Sequence, residues 1–329
     1  MKYIQTILTI AAIGLFTACS KDSVENQSEP LTDASIKMLR ATRTDPVGDD
    51  TYGDIKVFLA EGEDRIEGIF KYAGGSSWTT HIKLKSGEHS LRLYGIMPDD
   101  ANVNMVANFY NLTGSLRLEN MAPMSNNDYC VVTGLRQVTS ETDETPAVRG
   151  NFSFTYKSNR DNYINLLFEH LCARLVFRMN VAADYAALRT IKVRRMRLEV
   201  PGASQFRTVV ILNDNEGINS VTYNLTETNK GTLTFMEGET TLTTDLTEVA
   251  SVQVIPHSTV LSGLTLITEY DVYDKQGNKV AERTATNKLV EPLAELQRAE
   301  ERTLSVTVDP SYLYVLSEQD PPAVVIRKL

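Results

Sequence analysis

The side chains best suited to chemistry in this sequence are three cysteines, Cys19, Cys130 and Cys172, and four histidines, His81, His89, His170 and His257. A structural metal site draws on Cys and His pairs at characteristic spacings, and none of these histidines has a Cys or Asp partner at such a spacing. No metal site and no cofactor are therefore expected. The nucleophile elbow G-x-S-x-G, the dinucleotide turn G-x-G-x-x-G and the P-loop are all missing. Gly74-Gly75-Ser76-Ser77 reads as a tight turn ahead of Trp78, with no strand-to-helix context for a phosphate. Paired carboxylates at Asp49-Asp50, Asp99-Asp100 and Glu300-Glu301 lie in turns or among other charges and lack the glycine-centred calcium loop. They are read as solvated, no catalytic residue is assigned, and the chain is not expected to be an enzyme.

Cys19 is different because of what precedes it. Lys2 gives a positive start, residues 4–16 form a mostly apolar run, and Leu15-Phe16-Thr17-Ala18-Cys19 ends that run with small residues before a thiol. The run is shorter than the roughly 20 residues a spanning helix needs, and its flanks suit export. Residues 1–18 are thus read as a lipoprotein signal peptide and Cys19 as the site of an acyl lipid such as palmitate, which implies a bacterial envelope protein. Cys130 and Cys172 sit in apolar, strand-like sequence, where a disulfide and two buried thiols are both open. A formal charge of -9 disfavours nucleic acid and anionic lipid as general partners and leaves proteins or glycans.

The elements that must position these residues read almost entirely as strands. Residues 20–30 are polar and suit a tether. Residues 31–43 carry Leu31, Ile36, Met38 and Leu39 and end at Arg40-Ala41-Thr42-Arg43, directly before a loop-forming Asp45-Pro46-Val47-Gly48-Asp49-Asp50. Strand patterns follow at 55–59, 79–84, 90–96 and 152–156. The strongest is 166–181, where Ala173, Leu175, Phe177, Met179 and Val181 share a face opposite Arg174 and Arg178. Its parity shifts near His170, which predicts a bulge or turn there. Residues 182–188 read as a short helical joint, and strands resume at 191–200, 208–212, 232–236, 249–255, 264–273, 280–286 and 302–308. Such spacing predicts an all-β chain of sandwiches. Arg194-Arg195-Met196-Arg197 is expected to meet acidic neighbours. Trp78, with Tyr72, Tyr94 and Tyr110, is the one aromatic set that could serve as a glycan platform, although such residues are more often core. A surplus tail, 310–329, holds two strand-like pieces around Pro321-Pro322.

The lipobox at Cys19, the Arg43 that precedes Val47-Gly48-Asp49-Asp50 and a strand, the block Leu167-Phe168-x-His170-x-x-Ala173-Arg174-Leu175-x-Phe177 and the 306–316 tail together resemble the fimbrillins, subunits of the type V pili of anaerobic Gram-negative bacteria. The resemblance implies two transthyretin-like, Greek-key β-sandwich domains in tandem with short helical connections. Under it the chain divides into a signal peptide 1–18, a propeptide 19–43, sandwiches 44–182 and 183–309, and a tail 310–329. It further implies a lipoprotein of the outer membrane that becomes part of an extracellular fimbrium supporting adhesion. An arginine-specific protease would cut at Arg43, with Arg40 as competitor, displacing the strand that carries Leu31, Ile36, Met38 and Leu39. Another pilus subunit's tail, with Tyr312, Tyr314, Leu316, Val324 and Ile326, would then act as donor. The alternatives are a non-catalytic, glycan-binding surface lipoprotein and a tip adhesin with a host glycan or protein ligand.

Overall fold

The structure is a computed structural model, and it describes residues 30–43, 53–74, 77–110, 112–289, 293, 295–309 and 325–328. Residues 1–18, read above as a signal peptide, and Cys19 lie outside these residues. The chain is all-β, as the alternation predicts, with two short helices among the described residues. No helix of the described residues is long and apolar enough to cross a membrane.

In chain order, β1 (Thr32–Asp33) and β2 (Ile36–Arg43) precede β3 (Ile55–Glu61), β4 (Asp64–Gly74), β5 (Ser77–His81), β6 (Lys83–Leu84) and β7 (Glu88–Met97). Then come β8 (Asn104–Tyr110), β9 (Thr113–Met121), β10 (Met124–Ser125), β11 (Cys130–Val138), β12 (Val148–Arg149), β13 (Ser153–Lys157), β14 (Asn162–His170) and β15 (Ala173–Val181). After α1 (Ala183–Ala186) the chain runs through β16 (Thr190–Val200), β17 (Gln205–Asn213), β18 (Gly217–Glu227), β19 (Gly231–Thr241) and β20 (Thr247–Val254). Helix α2 (Ser258–Gly263) leads to β21 (Thr265–Tyr273), β22 (Lys279–Lys288), β23 (Glu301–Asp309) and β24 (Val325–Lys328).

The largest sheet has the order β2-β14-β11-β7-β3-β4-β5, with β12 on β11 and β13 on β7. One apolar core, from Ile36 and Met38 through Ile55, Val57, Leu93 and Val132 to Ile164 and Phe168, is built from this sheet and the β1–β6 flap. The sheet therefore folds over its own apolar face. Its hairpin at 61–64 is an acidic turn, closed by Gly62 in the left-handed region, φ 57°. The outer face carries Tyr94 and Phe58, which join a second core with β8, β9, β17 and the later strands. The Tyr94 ring packs 4.8 Å from Phe152 and 5.0 Å from Phe109 between centroids. Gly114 is required there, since a Cβ would stand 2.6 Å from Cζ of Tyr94.

The predicted parity change near His170 is a bend at Leu171-Cys172 that carries the chain out of β14 in the first sheet into β15 in another, of order β10-β20-β15-β23-β24. The expected helical joint is present as α1. Strand pairing nevertheless runs across residues 182 and 183. β15 lies between β20 and β23, and β9 pairs with β17 from Phe206↔Met121 to Asn213↔Thr113 in the four-stranded sheet β18-β17-β9-β8. The physical reason is burial. Leu116 and Leu118 on β9 and Val210 and Leu212 on β17 are 0% exposed within one core, so neither hairpin is covered without the other. A last sheet, β19-β16-β21-β22, covers the late strands. In it the basic run finds its expected acids: Arg194 meets Asp271 at 2.8 Å, and Arg197 meets Glu269 at 3.2 Å.

Candidate functional site: a seam closed by the N-terminal strands

The segment 30–43 joins two regions of the folded sheet that do not otherwise pair. On one side β2 runs parallel to β14, from Ile36↔Asn162 to Arg43↔Phe168. On the other, β1 pairs with β6 through Thr32↔Leu84, the Ala34 amide donates to the carbonyl of Ile82 at 2.8 Å, and the Thr80 hydroxyl donates to the carbonyl of Ile36. Asn162 fixes the entry into β2: its backbone N–H and its side-chain Nδ2 both donate to the Ser35 carbonyl at 3.0 Å.

Inside the seam Ile36 is 1% and Met38 4% exposed, while Leu39 is half-buried. Leu31, placed with these residues in the displaced strand by the sequence, lies just before β1, is 56% exposed and lines a cavity of about 250 Å³ with Glu61, Arg65 and His89. Ala34 and Ala41 are buried. A register shift between Ile164 and Asn165 skips Leu39, so the inward face passes from 36 and 38 to 41. That irregularity hides the strand's period from its sequence.

Charge holds the outer face of this segment. Lys37 Nζ lies 2.8 Å from Glu141 and 2.9 Å from Asp161, and these hydrogen bonds, Glu141 first, hold its pKa above the usual lysine range. The Ser35 hydroxyl donates to Asp161, and this bond with Lys37 lowers the pKa of that carboxyl. All of these groups are open to solvent, so salt weakens them. Arg40 is exposed and donates to the Glu144 carbonyl at 3.5 Å. Arg43 is the last residue of β2.

Beside the cavity, His89 Nδ1 lies 2.9 Å from Glu61. Burial disfavours the charged ring, but the Glu61 carboxylate and the carbonyls of Ser86 and Lys85 outweigh it and raise the pKa. A raised pKa in the fold adds stability that is complete below the unfolded value, near 6.5, and is lost as pH rises through the folded value. The stability advantage of the native chain over His89→Gln is therefore expected to shrink between pH 6 and pH 8. Paired thermal melts check this, and a difference independent of pH would contradict it.

Of the expected donor residues, Tyr312, Tyr314, Leu316 and Val324 lie outside the described residues. Ile326 falls in β24, which pairs antiparallel with β23 at the edge of the chain's own sheet, opposite Val308. The aromatic set does not form a platform. Tyr94 is 0% and Trp78 8% exposed, and the Trp78 indole N–H donates to the Gly53 carbonyl at 3.1 Å. Cys130 and Cys172 are buried and not joined in a disulfide, and burial pushes the Cys172 pKa upward.

One cluster escapes sequence spacing altogether. Asp128, Cys130 and His170 place one ligand atom each within 4.8 Å of one another. It is not a nucleophile relay of the Cys-His-Asp kind, which needs thiol and carboxylate on opposite ring nitrogens. Here both approach Nδ1, the carboxylate at 2.9 Å and Sγ at 3.5 Å, and Nε2 is buried with no hydrogen-bond partner among the described residues.

No protein-family model matches the sequence, and no curated protein matches it either. Solved structures do. A fimbrial protein from Bacteroides vulgatus is 11% identical, with 89% of this chain and 99% of that chain covered and a TM-score of 0.43. A candidate cell adhesion protein from Bacteroides uniformis is 12% identical over 90% and 96%, with a TM-score of 0.41. The fimbrial anchor protein of Porphyromonas gingivalis is 11% identical over 89% and 96%, with a TM-score of 0.29. The structural neighbours of this all-β chain are thus fimbrial and cell-adhesion proteins, at low identity and with limited superposition.

Proposed function

We propose that this chain is a structural subunit, stalk or tip, of a type V-like pilus that supports adhesion, held closed by its own leader until a protease removes it. The supporting observation is the seam. A separate N-terminal segment, ending in arginine, fills an apolar slot and pairs with the strand edge beside it. Without residues 30–43, β14 would present an unpaired edge next to an apolar groove, the two features that recruit an added strand.

In this reading the precursor is exported and tethered to the outer membrane through lipid on Cys19. An arginine-specific protease cuts at Arg43, or at its competitor Arg40. The 310–329 tail of another subunit then enters the groove. Groove and tail are different surfaces, so the contact is heterologous and propagates into a fibre. The tail first leaves its place on β23, giving up the β23–β24 backbone bonds.

Digesting the purified precursor with trypsin and reading its mass tests the scheme. The expected product begins at residue 44 or 41 and elutes as a ladder of oligomers, whereas uncut chain stays monomeric. A product cut there that remains a monomer sinks the proposal.

A further inference from the structure

We infer that Asp128, Cys130 and His170 form a zinc site at the bend where the chain leaves the first sheet. Asp128 and Cys130 are near neighbours in sequence, and His170, far along the chain, is brought beside them by strand pairing. Cys130 and His170 are register partners on β11 and β14, and Asp128 lies two residues before Cys130, the spacing that returns a side chain to the same face of an extended chain.

The donor atoms are nearly at coordination distance already. Zinc bonds of about 2.3 Å to sulfur and about 2.05 Å to nitrogen, at tetrahedral angles, put those two atoms about 3.6 Å apart. Sγ of Cys130 and Nδ1 of His170 are 3.5 Å apart. Nitrogen and carboxylate oxygen need about 3.4 Å, against 2.9 Å here, an opening that turning the Asp128 side chain supplies. A thiol, an imidazole and a carboxylate suit a borderline-soft, four-coordinate ion.

The surroundings are buried but leave a way in for an ion. Cys130 is 0% and His170 2% exposed, and Asp128 keeps 10% of its side chain in solvent. Binding replaces the His170–Asp128 hydrogen bond with two metal bonds. The Cys130 thiol loses its proton to solvent, the ring carries its proton on Nε2, and one proton is released per zinc. Water fills the fourth position. The ion would pin β11 to β14 one residue before the Leu171-Cys172 bend.

Cobalt(II) is the probe, because a cobalt–thiolate bond absorbs in the near ultraviolet. The chelator-stripped full chain is expected to take up one cobalt with that band, and one equivalent of zinc is expected to erase it. Cys130→Ser should abolish the band, while Asp128→Asn and His170→Gln should weaken binding at least tenfold. Melting of each variant in chelator shows whether it folds; Asp128→Asn, at the most exposed of the three positions, keeps the test decisive if the others do not. A stripped chain that gives no band, or a band that survives Cys130→Ser, overturns the site.

Discussion

Ile36→Ala is expected to speed cleavage at Arg43 by about two orders of magnitude while leaving the main melting transition almost where it was. The side chain is 1% exposed in the seam, and truncating a buried isoleucine costs roughly 2–5 kcal/mol. That loss falls on a segment joined to the sheet through β14 and β6 and along its own buried face, so it appears first as local opening of residues 30–43. When opening is fast relative to cutting, a protease reports the open population, and about 3 kcal/mol is about a hundredfold in that population. Lys37→Ala supplies the contrast. It removes only solvent-exposed ion pairs with Glu141 and Asp161, worth about 1 kcal/mol or less, and should change the rate severalfold at most. Timed digestion followed by mass spectrometry checks both, and equal rates for native and Ile36→Ala chains would show that the seam does not gate the cut.

The second large effect concerns the tail. Deleting residues 310–329 is expected to abolish oligomers of the cut chain and to leave the monomer folded, because β24 is an edge strand that pairs only with β23. A donor strand that buries about 500 Å² of apolar surface gains about 12 kcal/mol before ordering costs, so the joint should outlast a gel-filtration run. A synthetic peptide of residues 30–43, added in trans to the cut full-length chain, should halt growth by refilling the slot. Oligomers that form equally well without the tail, or in excess peptide, would assign assembly to another surface.

Much of this was legible from residue spacing. The 173–181 alternation is β15, the parity change at His170 is the bend between sheets, and the 194–197 basic run pairs with acids as expected. Ile36 and Met38, noted in the sequence as apolar, turn inward two apart on the strand. Ala34 and Ala41 were not noted: a small side chain gives little hydropathy signal, and the skipped Leu39 breaks the period between Met38 and Ala41. Leu31 is exposed, since a large apolar residue beside a strand need not lie on its buried face. The Asp128, Cys130 and His170 cluster was invisible because its spacing exists only across the β11–β14 ladder. The β9–β17 ladder was missed likewise, because strand order follows from which faces need covering, and local pattern does not record that.

That last ladder bears on how such a chain would carry tension. A subunit pulled at its groove by one neighbour and at its tail by another receives force near β14 and near β23. If its early and late strands met only through the 182–188 connector, that connector would act as a hinge and the weakest link would be a loop. Instead β9 and β17 are hydrogen-bonded from Thr113 to Met121, so the early and late parts separate only by tearing a buried ladder. The load path is woven, and stretching such a filament should draw on strain shared across a sheet well before it draws on slack in the chain.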